Sequence, residues 1–188
     1  HETYDSINRK EEGIVTSITK KATLESIESV YKQKYLQILR KAIVNNKKRL
    51  EEVNINMLDV YKKSFRFIID ESAARAMNIF NFMESNNVFG DELWKRLEPK
   101  ILSELRVESE TLRLKGIIDQ VHVYNDEYVP FELKTGRTPS DGVWPSHRIQ
   151  LAAYSLLLQE HFSKPIKEGF VIYLDTKEKR HIAINPYM

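Results

Sequence analysis

The hydrophobic period of this chain changes from helical to strand-like at Pro99, and that change limits the architecture more than any other feature. Before it, apolar residues recur at intervals of three and four: Leu24, Ile27, Val30, Tyr31, Ile38, Leu39, Ala42 and Ile43 trace one helix face, with Lys and Glu between them. The spacing predicts a long amphipathic helix over 24 to about 50. A second, over 57 to about 83, is carried by Leu58, Tyr61, Phe65, Ile68, Ile69, Ala76, Ile79 and Phe80, with the break near Asn54 and Asn56. Asn86, Asn87 and Gly90 predict a loop, followed by a short helix over 92–97 that Pro99 closes.

Beyond Pro99 the period is two. Leu105 and Val107 alternate with Arg106 and Glu108, then Leu112 and Leu114 with Arg113 and Lys115, so two strands meet near Ser109 and Glu110 and the second runs on to Val123. A turn at Asn125 and Asp126 leads to a third strand over 128–134, with Val129, Phe131 and Leu133 on one face. A loop with Gly136, Pro139, Gly142 and Pro145 precedes an apolar helix over 146–161, and short strands over 169–174 and 181–184 follow. The expected class is α/β: a helical region over 1–98 and a mixed region over 99–188.

Composition supports long elements, because 188 residues contain only six Gly and six Pro. The absence of cysteine excludes a disulfide scaffold or a thiolate-held metal within these residues. A net charge of +2 creates no global field for a polyanion, so any nucleic-acid site must be local. No apolar run approaches the ~18 residues of a membrane span, and the first residues are too polar for a secretory signal. A soluble, cytoplasmic protein is expected. The chain opens on His1 and stops at Met188, shortly after Pro186, so flanking sequence is expected beyond both ends.

Asp119 stands among Ile117, Ile118 and Val121, and alternation puts it on one face with Ile117, Val121 and Val123. A carboxylate on an apolar face needs compensation, either a structural Arg or Lys or a metal ion. Glu132 and Lys134 share the face opposite Val129, Phe131 and Leu133. Alone, such a triplet also suits a solvated cross-strand pair. The short turn after Val123, however, sets Glu132 on the strand next to Asp119, and two neighbouring carboxylates repel unless a cation bridges them. Hard oxygen donors select Mg2+ or Mn2+, which acidify bound water and neutralise charge on phosphate. Gln150 and Tyr154 fall at i and i+4 of the next helix and project to one side, an arrangement equally open to a core helix.

Gly116-Ile117-Ile118-Asp119, Glu132-Leu133-Lys134 and Gln150-Leu151-Ala152-Ala153-Tyr154 resemble the GxxD, (D/E)xK and QxxxY motifs of the RecB-like branch of the PD-(D/E)XK nucleases. Within that branch the chain resembles the CRISPR-associated RecB-like exonucleases of spacer acquisition and antiviral defence, down to the continuation Lys134-Thr135-Gly136-Arg137. The resemblance spans roughly residues 99–184. It implies a restriction-endonuclease-like core, a mixed central sheet flanked by helices, with an inserted helical subdomain. It also implies a metal-dependent DNA exonuclease acting on single strands or free ends, and adaptation integrase proteins as partners. Asp119 and Glu132 would be metal ligands, with the Leu133 carbonyl and His1 as further ones; Lys134 would act on the attacking water, and Gln150 and Tyr154 would position it, the strand or the lysine. Family members commonly bind a 4Fe-4S cluster through four cysteines, which only flanking sequence could supply here. A non-catalytic DNA-binding or scaffold subunit, or a structure-selective endonuclease, would share the core.

Lys47, Lys48 and Arg49 end the first long helix, and Lys62, Lys63 and Arg66 lie on the second. With Arg137 they suit a track for backbone phosphates, or for the helical ones a solvated face. Tyr31, Tyr35, Tyr61, Phe65 and Phe67 suit base stacking or a core. His122, His147, His161 and His181 show no metal-ligand spacing, though His147 lies beside the active-site loop. Nothing in the sequence supports a serine hydrolase or a nucleotide-triphosphate hydrolase.

Overall fold

The computed structural model describes residues 7, 8, 10–125 and 127–185, which divide into two compact units, one up to Leu97 and one from Glu98. The helical unit contains α1 (Glu11–Thr16), α2 (Leu24–Asn45), α3 (Lys47–Glu52), α4 (Met57–Asn86) and α5 (Gly90–Arg96). A reciprocal cap starts α2: the Thr23 hydroxyl accepts from the Ser26 N–H, and the Ser26 hydroxyl accepts from the Thr23 N–H.

The single helix predicted over 24–50 is two. Asn46 leaves helical geometry (φ −96°, ψ 11°), and its amide donates to the Ala42 carbonyl at 2.9 Å. A side chain that satisfies a terminal carbonyl ends the helix there. The helices α2 and α4 pack together through Ile27, Tyr31, Tyr35, Ile38 and Leu39 against Ile68, Ala76, Ile79 and Met83. Tyr31 and Tyr35 are 0% and 1% exposed, so they belong to this core and are closed to stacking bases. Val30 and Leu58, which the spacing puts on the buried faces, are 40% and 56% exposed. Leu58 lies in the opening turn of α4, before the stretch of that helix that enters the core.

The sheet unit contains β1 (Lys100–Ser109), β2 (Leu114–Tyr124), β3 (Glu127–Lys134), α6 (Pro145–Phe162), β4 (Glu168–Tyr173) and β5 (Glu178–Ala183). Its five strands lie in the order β1-β2-β3-β4-β5. Neighbours are antiparallel except β3 and β4, which run parallel. A parallel pair needs a crossover, and α6 provides it, opening on Pro145 and packing across β1 to β4. Val107, Ile118, Val121, Leu157, Leu158 and Ile166 form one core cluster beneath it, and Leu151, Val171, Tyr173 and Ile182 another.

Strict alternation fails at Asp119. Ile118 and Val121 are both fully buried in the same cluster, although three residues apart they would face opposite sides of a regular strand. Ile117 and Val121, expected on one face with Asp119, are 44% and 0% exposed. The cause lies on the neighbouring strand: the β1–β2 ladder steps from Ser103↔Gln120 to Leu105↔Ile118, and Glu104, opposite Asp119, has a left-handed φ of 51°.

Candidate active site

The strands β2 and β3 pair from Tyr124↔Glu127 to Gln120↔Phe131, while β3 continues against β4 as far as Lys134↔Tyr173. The sheet therefore forks at Asp119. Asp119 and Glu132 are the residues that directly follow the last pair, Gln120↔Phe131, into the fork. Asp119 Oδ2 accepts the Leu133 N–H at 2.8 Å, taking the place a backbone carbonyl would fill in a continued ladder. Because the N–H and C=O of one strand residue point the same way, the Leu133 carbonyl also faces the fork, whereas the Lys134 carbonyl accepts the Leu174 N–H on the β4 side.

Glu132 is 4% exposed, which excludes the solvated cross-strand pair. Its Oε1 meets Lys134 Nζ at 2.7 Å and accepts Gln150 Nε2 at 2.8 Å. Lys134 Nζ also donates to Gln150 Oε1 at 2.7 Å, and Gln150 Nε2 to the Tyr154 hydroxyl at 2.8 Å. This orients the amide: reversed, it would set its NH2 against an ammonium and its oxygen against a carboxylate. The chain of bonds ends where Tyr154 donates to the Ile117 carbonyl at 2.9 Å. Burial raises the pKa of that hydroxyl, a hydrogen bond with Gln150 opposes the rise, and the charges of Glu132, Asp119 and Glu104 add to it. Tyr154 stays a proton donor.

Asp119, Glu132, Leu133, Lys134, Gln150 and Tyr154 are thus brought together. Arg137 is exposed in the loop after β3, its carbonyl accepting the Trp144 indole N–H at 2.9 Å. Lys47, Lys48 and Lys62 are exposed on the helical unit. His1 lies outside the described residues, as do Asp126 of the predicted turn and Pro186. Two neighbours of the site carried no signal in the sequence. Glu104 reads as an ordinary outward strand residue, and Tyr173 as one more apolar position of a strand.

A mixed sheet that forks over two carboxylates and a lysine, crossed by a helix bearing glutamine and tyrosine, suits the class of hydrolases that cut phosphodiesters. The sequence profile of the PD-(D/E)XK nuclease superfamily matches residues 22–185, and the chain belongs to that superfamily. It is 32% identical over 105 residues to a CRISPR-associated exonuclease Cas4/endonuclease Cas1 fusion of Leptospira interrogans, covering 51% of this chain and 19% of that protein. It is 37% identical over 80 residues to a CRISPR-associated exonuclease Cas4 of Francisella tularensis subsp. novicida, covering 43% and 37%. With the DNA replication ATP-dependent helicase/nuclease JHS1 of Arabidopsis thaliana it shares 30% identity over 80 residues, covering 38% and 6%. The chain therefore spans well under two thirds of the length of these curated relatives.

Nucleases of this superfamily generally use divalent metal ions. The fork fits one by the chemistry of its donors: two carboxylates and a carbonyl are hard oxygen ligands. Among the described residues no group of three or more His, Cys, Asp and Glu side chains converges on a metal position. No helix among the described residues is long and apolar enough to cross a membrane.

Proposed function

We propose that this chain hydrolyses phosphodiester bonds of DNA, as a cytoplasmic exonuclease on single strands or free ends in CRISPR adaptation, with Mg2+ or Mn2+ as cofactor. The observation that carries the reading is the continuous set of hydrogen bonds from Glu132 through Lys134 and Gln150 to Tyr154, beside Asp119 at the fork. Asp119, Glu132 and the Leu133 carbonyl would hold the cation. Bound there, it would lower the pKa of an attacking water and neutralise charge developing on the phosphate.

The protein's own groups do the rest. Lys134 spends two of its three N–H donors on Glu132 and Gln150 among the described residues, and the third orients the attacking water. Gln150 fixes the ammonium and the carboxylate at once. Tyr154 anchors Gln150 to β2, so helix and sheet hold the reacting groups in one frame. Arg137 would contact strand phosphates beside the site, and Lys47, Lys48 and Lys62 of the helical region over 1–98, which includes the insertion, are further basic positions for phosphates. The Cas4/Cas1 fusions among the relatives favour an integrase partner. A 4Fe-4S cluster would need cysteines from beyond this chain.

No acid or lysine of the set is replaced, which favours catalysis over a scaffold role. The test is cleavage of linear single-stranded DNA in Mg2+ and in Mn2+ by the parent, Asp119→Ala and Lys134→Ala. Loss of activity in both variants is expected; equal cleavage by all three sinks the reading. Circular single strands should survive, and their cutting would point to an endonuclease.

A further inference from the structure

The loop before α6 and the first turn of that helix hold a group that the catalytic set leaves unused. Tyr173 is fully buried and is the register partner of Lys134, so the two side chains sit together on the face that α6 covers. The Tyr173 hydroxyl oxygen accepts the Trp144 N–H at 3.3 Å and lies 3.0 Å from His147 Nδ1. The backbone N–H can only donate. The hydroxyl proton, buried, needs an acceptor, and among the described residues His147 Nδ1 is the one within reach. Tyr173 therefore donates to Nδ1, and the ring carries its proton on Nε2. Burial and, after it, the charge of Lys134 lower the pKa of His147, which favours the same neutral ring.

His147, Gln150 and Tyr154 fall at i, i+3 and i+7 of α6. Each docks on a different strand: His147 on Tyr173 of β4, Gln150 on Glu132 and Lys134 of β3, and Tyr154 on Ile117 of β2. The Nε2–H of His147 makes no hydrogen bond to any described residue. It is an oriented neutral donor in the neighbourhood of an ammonium, an environment suited to an anionic oxygen. Building on the nuclease reading, we infer that His147 is a further substrate-binding residue, whose Nε2–H donates to a non-bridging phosphate oxygen of the bound strand while Tyr173 holds the ring in place.

The inference is tested by steady-state cleavage of a linear single strand and by nitrogen-15 NMR of the histidine rings. His147→Ala should raise KM roughly tenfold or more with a smaller change in kcat, the loss expected for one hydrogen bond to a charged group. His147→Gln, which keeps a donor, should stay within about threefold of the parent. In the parent, Nδ1 should show the shift of an unprotonated nitrogen, and an oligothymidylate added in EDTA should move the Nε2 resonance. Parent kinetics in both variants, equal impairment in both, a protonated Nδ1, or an Nε2 resonance indifferent to the oligonucleotide would each overturn it. Failure of the nuclease reading looks different: the parent and Asp119→Ala would then cleave alike, whatever the resonances of His147 show.

Discussion

Gly116 bears no side chain because Tyr154 occupies the space: an added Cβ would lie 2.7 Å from Tyr154 Cε1. The glycine of the GxxD motif is thus a packing requirement of the QxxxY motif, imposed by residues 38 positions apart in the chain. Gly116→Ala should displace the Tyr154 ring, slacken its bond to Gln150 and lower kcat roughly 10- to 100-fold with the fold retained, as kinetics beside circular dichroism would show. Lys134 also has a structural part. Its ammonium compensates the buried Glu132 carboxylate, whose side chain is 5% exposed against 23% for the lysine. Lys134→Ala should therefore cost stability as well as activity, about 1–3 kcal/mol in a urea titration, because the buried carboxylate loses the positive charge beside it. A titration midpoint equal to the parent's would show that Glu132 does not depend on the lysine.

The crossover helix α6 belongs at once to the fold and to the site. It approaches the sheet closely over Gly169 as well, where an added Cβ would meet Leu151 Cδ2 at 2.8 Å and Pro130 Cγ at 3.1 Å. Gly169→Ala should overpack that contact and lower stability by about 1–3 kcal/mol, measured by thermal melting. Because Leu151 and Gln150 are adjacent on the helix, the same substitution should also weaken cleavage. The strands β1 and β2 show the reverse dependence, of side chains on backbone irregularity. The left-handed Glu104 and the skipped rung opposite it break the alternation, so Asp119 reaches sideways to the Leu133 N–H.

The chain comprises two units, each with its own core. In the helical one, Glu11 of α1 accepts from Tyr31 and from Arg75 Nη1, both at 2.9 Å, and Arg75 Nε donates to Glu71 at 2.8 Å. Glu11 and Arg75 are 8% and 7% exposed. Removing one partner strands the other charge in the core, so Arg75→Ala should destabilise the helical unit by about 3–5 kcal/mol. Calorimetry should register this as an earlier transition for that unit, while hydrogen exchange in the β3–β4 ladder keeps its protection; uniform loss of protection would mean the units unfold together. Much of the molecule is legible without coordinates. The change of period at Pro99 places the helices and strands, since periodicity records which side of each element must avoid water. The order of Asp119, Glu132, Lys134, Gln150 and Tyr154 picks out the residues that the structure brings together as a candidate site. Contacts between elements remote in the chain are a different matter. The fork at Asp119, the burial of Glu132 and the proton on His147 Nε2 each arise where a partner from another segment comes within hydrogen-bonding or van der Waals distance. No periodicity encodes such an approach, because it reports the apolar face of a single element and says nothing of the polar groups that packing brings to meet it.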